Sequence, residues 1–146
     1  MWVEQTTPSI VLATNGSPAC RRATVRAGRL FQHTRLLAAV VLPEGVDVND
    51  DAATMHGSAV RRALADAHLH AAAETLAEVC DVLGPRARAV ILDGDPAAAL
   101  IGLARSEAAD AIVVGSLHKA RDRTLTRTMS DDLVAGAPCP VIELGR

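Results

Sequence analysis

Basic side chains are concentrated in one stretch of a chain that is weakly acidic as a whole. Lys119, Arg121, Arg123 and Arg127 lie close together, although the chain has 15 Lys and Arg against 17 Asp and Glu and a net charge of −2. Guanidinium and ammonium groups bind phosphate through charge-assisted hydrogen bonds. Charge runs of this kind also occur simply as solvated loops. The stretch is therefore either a phosphate-binding loop or a solvated basic loop.

Two other groups have the chemistry of an anion or nucleotide site. Asn15, in the run Asn15-Gly16-Ser17, offers an amide that can hydrogen-bond a ribose hydroxyl. The backbone amides of a helix that starts near Ser130 can face an anion, as helix N-termini do. The alternative for Asn15-Gly16-Ser17 is ordinary turn and cap chemistry without a ligand.

Apolar runs and helical patterns alternate along the chain and predict the elements that position these groups. Strands are predicted over Ser9–Ala13, 36–42, Ala87–Leu92, Ala111–Val114 and 141–144. Helices are predicted from Ser17 and Pro18, over 58–83, from Asp95 and Pro96 to about Arg105, and from Ser130 to about Ala135. Residues 46–57 are predicted to be irregular, and Asp131 and Asp132 to lie in a first helical turn.

The long helix is predicted to have one apolar side. Its members are Leu64, Ala67, Ala71, Leu76, Val79 and Leu83. Gly84-Pro85 ends this helix.

The order of elements predicts an α/β fold, with a single domain over 1–146. Strands that alternate with helices pair in parallel through right-handed crossovers, which gives an open doubly wound, Rossmann-like sheet with helices on both faces. Ligands of such sheets bind beyond the carboxyl ends of the strands, where the strand order reverses. If the first and fourth strands are neighbours there, the loops 14–17 and 115–130 meet.

Composition excludes several classes of partner. The chain is 49% hydrophobic with one Trp, one Phe and no Tyr, so the core is aliphatic and base-stacking platforms are lacking. The acidic balance disfavours nucleic acid, and no apolar run spans a bilayer or resembles a secretory leader, so we expect a cytoplasmic protein. Cys20, Cys80 and Cys139 form no CxxC pair and are expected to be small buried side chains.

No catalytic or metal-binding residues are predicted. The GxxxxGK[ST], GxGxxG, HExxH and GxSxG motifs are absent. His68 and His70 are two apart on a helix and point in different directions. A slow ATPase would need a base near the phosphates, and Asp122 and Asp131 are the only carboxylates nearby.

Four segments, in this order, resemble the universal stress protein family. They are Ile10-Val11-Leu12-Ala13-Thr14-Asn15-Gly16-Ser17-Pro18, Gly94-Asp95-Pro96, Ala109-Asp110-Ala111-Ile112-Val113-Val114-Gly115-Ser116 and Ala137-Pro138-Cys139-Pro140-Val141. The resemblance implies a parallel sheet in the order 3-2-1-4-5. It also implies dimerisation through the last strand, here Val141-Ile142-Glu143-Leu144, and in one subgroup an ATP or AMP site.

The phosphate motif of that subgroup is altered in this chain. The motif is a glycine, two residues, a second glycine, nine residues, then a glycine with serine or threonine. Gly115 matches the first glycine, whereas His118 stands at the second, Arg127 at the third and Thr128 at the hydroxyl position. A Cβ obstructs close approach of the backbone to phosphate. Asn15 replaces the family's usual aspartate and lacks its charge.

The resemblance implies a set of candidate nucleotide-binding residues. They are Ala13, Asn15, Val40, Val41, Gly115, Ser116, Arg127, Thr128 and Ser130. The favoured hypothesis is a non-catalytic, dimeric regulatory domain of the stress response with weak or absent adenine-nucleotide binding. The alternative is an ATP- or AMP-binding stress protein with a basic, glycine-poor phosphate loop. The cofactor stays unassigned.

Overall fold

The structure is a computed structural model. It describes the backbone of residues 7–42, 55–116 and 127–146, and the side chains of 7–42, 59–116 and 131–146. Strands and helices alternate along these residues. They are β1 (Ser9–Ala13), α1 (Pro18–Leu30), β2 (Arg35–Val41), α2 (Met55–Leu83), β3 (Ala87–Leu92), α3 (Pro96–Ser106), β4 (Ala111–Val114), α4 (Arg127–Gly136) and β5 (Val141–Glu143).

The strands form one parallel sheet in the order β3-β2-β1-β4-β5. This confirms the predicted fold class and the strand order that the resemblance implied. Three strands have their predicted bounds, whereas β2 is shifted by one residue and β5 ends at Glu143. Leu144 still donates its N–H to the carbonyl of Val114 at 3.0 Å, so pairing with β4 continues past the end of β5.

The core consists of two aliphatic layers, one on each face of the sheet. Leu12 and Leu36 pack with α1 and α2, while Val11, Leu37 and Ile112 pack with α3 and α4. All five of these side chains are buried. The continuous apolar runs of β1, β2 and β4 are explained by this burial, because a strand covered on both faces has no polar side.

Two helices, α1 and α3, begin directly after the capping residues that the sequence predicted. Ser17 Oγ accepts from the N–H of Cys20 at 3.2 Å and Asp95 Oδ2 from that of Ala98 at 2.9 Å. In both helices proline follows at the first position, where its missing N–H is not needed.

Only half of the predicted apolar side of α2 is buried. Leu76, Val79 and Leu83 are buried, as is Ala72. Leu64, Ala67 and Ala71 are exposed instead. The first part of this helix is so rich in alanine that apolar residues lie all around it, and periodicity cannot then select a buried face. The helix also begins at Met55 rather than at residue 58; the rest of the segment predicted as irregular, 46–54, lies outside the described residues.

The predicted start of α4 is wrong. The helix begins at Arg127, so Asp131 and Asp132 lie beyond its first turn. Ser130 has the residue type of a cap, but no proline follows it as one follows Ser17 and Asp95. A serine without such a neighbour is tolerated inside a helix.

The cysteines differ in burial. Cys20 is buried as predicted, whereas Cys80 and Cys139 are half-buried, and all three are free thiols. Burial raises the pKa of the Cys139 thiol, and the nearby Asp110 carboxylate raises it further. Within the described residues, no helix has the length and apolarity that a membrane crossing requires.

Ala108 should be a point of backbone strain. It has φ +49° after α3, in a turn where the N–H of Ala109 bonds the carbonyl of Ala104 at 2.8 Å and its own N–H bonds that of Arg105 at 3.2 Å. This is a Schellman turn, whose left-handed position favours glycine. We expect Ala108→Gly to stabilise the protein by roughly 0.5–1 kcal/mol in urea unfolding, because a Cβ penalty of about 1–2 kcal/mol outweighs the entropy of glycine.

Ala98→Gly, on the exposed side of α3, is the matched control. Glycine inside a helix should lower stability by about 0.5–1 kcal/mol. Equal losses in both variants would mean that Ala108 carries no strain.

Candidate functional site

The candidate site lies at the carboxyl ends of β1 and β4. These strands pair in parallel with Leu12 opposite Val113, which brings Thr14 and Gly115 together two residues further along. The connections after β1 and β4 lead to opposite faces of the sheet, because α1 lies with one core layer and α4 with the other. Thr14 and Gly115, the first residues of the two predicted loops, therefore meet at a topological switch point, where ligands of such sheets bind.

The first loop is held by its own polar groups. Asn15 Oδ1 accepts from the N–H of Ser17 at 3.0 Å, and Thr14 Oγ1 from that of Gly16 at 3.4 Å. Gly16 has φ +79°, which suits glycine. Asn15 is exposed, and its amide group can still reach a ligand. The turn and cap chemistry that the sequence left open is thus present in full.

Gly115 is required by packing. A Cβ there would lie 2.9 Å from the backbone N of Cys20 and 3.1 Å from the carbonyl carbon of Ala19. The first turn of α1 crosses the end of β4 so closely that any side chain at 115 would collide with it. Ser116 follows and is also buried. The glycine that matches the phosphate motif therefore has a structural role whether or not a ligand binds.

The remaining strand residues divide between the two faces. Ala13 and Val41 pack on the α3 and α4 side, whereas Val40 packs on the α1 and α2 side, as alternation along a strand requires. Ala13 and Val41 therefore share a face with α4.

The other candidates belong to α4 or lie outside the described residues. Arg127, Thr128 and Ser130 form the start of α4, and their side chains are not among those described. The first N–H groups of a helix have no partner within it, and the start of α4 lies at the carboxyl edge of the sheet. Lys119, Arg121, Asp122, Arg123 and His118 fall outside the described residues.

Among the side chains that the structure describes, 7–42, 59–116 and 131–146, no group of three or more His, Cys, Asp or Glu is placed to hold a metal. Hydroxyls, the Asn15 amide and backbone groups surround Asn15 and Gly115, and the Cys20 thiol is also close, with its Sγ 3.1 Å from the position of a Cβ on Gly115. The hydroxyls and amides can bind and orient a polar ligand.

Comparison with known proteins agrees with this architecture. The model of the universal stress protein family matches residues 7–142. The chain belongs to the universal stress protein family. A comparison with curated protein sequences gives no significant match.

Several solved structures of universal stress proteins share the fold. UspA from Lactobacillus plantarum is 21% identical, with 97% of this chain and 99% of that chain covered and a TM-score of 0.69. A family protein from Burkholderia pseudomallei is 22% identical, with 94% and 96% covered and a TM-score of 0.68. One from Arabidopsis thaliana, with AMP bound, is 22% identical, with 95% and 92% covered and a TM-score of 0.65.

Sequence reasoning missed the packing that supports the site of this universal stress protein. Behind the first loop, α1 and α2 line an open cleft of about 140 Å³. A Cβ on Gly16 would lie 3.1 Å from Thr75 Oγ1. Gly145 lies against Gly115 and donates its N–H to the carbonyl of Gly115 at 2.7 Å. Gly145, the glycine just after the last strand, is the only sequence feature that could have indicated this contact.

Gly115→Ala should destabilise this universal stress protein even without nucleotide. Because the new Cβ would meet backbone atoms of Ala19 and Cys20, α1 must shift, and overpacking of this kind costs about 1–3 kcal/mol. The free energy of unfolding in urea measures the effect.

Gly102→Ala is the control, since a Cβ there meets nothing within 4 Å. It should raise stability by up to about 1 kcal/mol, the helix preference of alanine over glycine. A Gly115→Ala protein as stable as the parent would contradict the close approach.

Proposed function

We propose that this protein is a non-catalytic, cytoplasmic regulatory module of the stress response that acts as a homodimer and binds adenine nucleotides weakly or not at all. One observation carries the proposal. Two of the residues that a nucleotide would use already serve the fold: Asn15 Oδ1 closes its own turn, and Gly115 is fitted to α1.

The altered phosphate loop supports the same conclusion. At the positions of the motif's later glycines stand His118 and Arg127, and a Cβ keeps phosphate from close contact with backbone donors. At Asn15 the charge of a carboxylate is lost, and a neutral hydrogen bond to ribose is roughly half as strong as a charged one. Binding energy is therefore reduced at both ends of the ligand.

The alternative function is ATP or AMP binding through basic side chains. It is favoured by solved relatives described as complexes with cAMP, AMP and dAMP. It is also favoured by the start of α4 at Arg127, because the first backbone amides of a helix can face an anion. In this case arginine and lysine side chains replace the contacts that glycines make elsewhere.

Calorimetric titration with AMP separates the two functions. We expect no saturable heat below about 1 mM for the parent chain, an affinity of about −4 kcal/mol or weaker. Asn15→Asp restores a carboxylate that can still cap the turn and should tighten binding by roughly threefold or more, since charge-assisted hydrogen bonds are stronger.

Asn15→Ala is the matched control and should not bind more tightly than the parent. Micromolar binding by the parent would reject the proposal in favour of the alternative. Equal affinities of the Asn15→Asp and Asn15→Ala proteins would exclude a role for residue 15.

The outer edge at β5 supports the proposed dimer. Leu144 N–H and the carbonyl of Pro140 face β4, so the backbone groups of Val141 and Glu143 point away from the sheet. The side chains of Val141 and Ile142 are half-buried. A short apolar edge of this kind is a template for antiparallel pairing with its own copy.

Glu143→Pro should abolish self-association. Proline removes an outward N–H and leaves the bonds from β5 to β4 intact. We expect a dimer mass for the parent at micromolar concentration in sedimentation velocity and a monomer mass for the variant.

Glu143→Gln is the control for loss of the carboxylate, which bonds Arg146 at 3.0 Å. It should remain dimeric. A monomeric parent chain would refute the proposed assembly.

A further inference from the structure

Residues 144–146 continue beyond β5 along the end of β4. Leu144 donates its N–H to the carbonyl of Val114 at 3.0 Å, and Gly145 donates to that of Gly115 at 2.7 Å. The second bond ends on the first residue of the candidate phosphate loop. The outer edge of the sheet and the loop are therefore joined by main-chain hydrogen bonds.

Two arginines of α1 hold the same segment from the opposite side. Arg22 Nε donates to the carbonyl of Gly145 at 2.8 Å, and Arg26 Nη1 to that of Leu144 at 3.2 Å. The two arginines are four residues apart, so they lie one above the other on one face of the helix. Their guanidinium groups form charge-assisted bonds, which are stronger than neutral ones.

The contact leaves no free space. Gly145 is buried, and a Cβ on it would lie 2.1 Å from the carbonyl oxygen of Gly115 and 2.6 Å from that of Ala19. A Cβ on Gly115 would in turn lie 2.9 Å from the N of Cys20. Gly145, Gly115 and the first turn of α1 therefore form one interlocked contact, and a shift of any of the three displaces the others.

We propose that residues 144–146 form a coupling clamp that ties the β5 edge to the Gly115 loop, so that pairing of the edge with a second chain orders Gly115 and Ser116. The proposal rests on the dimer of the proposed function and assigns it a regulatory consequence. A partner strand on β5 restrains residues 141–146, and the clamp passes this restraint to the loop. Assembly then sets the order of the candidate site.

The same coupling acts in reverse. A ligand that orders Gly115 and Ser116 meets a smaller entropy loss in the dimer than in the monomer. By linkage, that ligand must tighten the dimer by the same factor. Ligand binding at Gly115 and Ser116 would thus favour burial of the β5 edge in the dimer.

Hydrogen–deuterium exchange of the full chain tests the clamp without any ligand. Gly145→Ala should speed exchange of the amides of 114–116 and 144–145 by tenfold or more, because the new Cβ displaces the segment from Gly115. Gly102→Ala, whose Cβ meets nothing, should leave these rates unchanged. Unchanged rates in Gly145→Ala would overturn the clamp.

Arg22→Gln is a milder variant for the case in which Gly145→Ala does not fold. It removes the bond to Gly145 without adding bulk and should speed exchange at 144–145 and 114–116 by threefold or more. Arg29→Gln, an exposed position on the same helix, is its matched control. Equal rates in the two glutamine variants would also overturn the clamp.

Dilution tests the coupling to assembly. In the parent chain, exchange at 115–116 should slow by threefold or more as concentration rises through the dimer dissociation constant, and in Arg22→Gln this dependence should disappear. If the parent chain dimerises but its exchange at 115–116 does not change with concentration, the coupling is overturned and the clamp itself is not. A parent chain that stays monomeric counts against the proposed function, and the substitution comparisons still decide whether the clamp exists.

Discussion

The pairing of β1 with β4 is the contact on which the rest of the molecule depends. These strands are distant in sequence, and they meet in the middle of the sheet with Val11 opposite Ile112, both fully buried. At their amino ends Ser9 and Asp110 exchange two hydrogen bonds: Asp110 Oδ2 accepts from the N–H of Ser9 at 2.8 Å, and the N–H of Asp110 donates to the carbonyl of Ser9 at 2.7 Å. This register determines which residues emerge side by side at the other end, and therefore where the candidate site is.

Close packing at Gly115 and Gly145 also constrains the described part of the site. Gly115 and Gly145 are glycines because α1 approaches the end of β4 closely, and Asn15 and Ser17 use their side chains to close a turn and cap a helix. The same residue types can serve a nucleotide or serve the fold alone. Membership of the universal stress protein family establishes the architecture, whereas the ligand depends on the individual side chains that line this edge.

Predictions succeeded where a local signal had only one structural solution. A capping side chain followed by proline determined the starts of α1 and α3, and continuous apolar runs located the buried strands. They failed where several arrangements satisfy the local rules. Alanine on every side of α2 left the buried face to be chosen by contact with the sheet, which includes Ala72 but not Ala71, and Ser130 looked like a cap although α4 begins at Arg127.

The sequence by itself determined the element order, the parallel sheet and two helix starts, because hydrophobic period, caps and turn residues act over a few positions. The candidate residues on the strand ends came from the resemblance to the family. Only the tertiary structure decided that Gly115 packs against α1 and that Val40 and Val41 lie on opposite faces of the sheet. It also decided that Gly145 bonds Gly115 and is held by Arg22 of α1, with Arg26 bonding the neighbouring Leu144. These contacts join residues from opposite ends of the chain, and no local preference encodes a distance between atoms that meet only after the sheet has formed.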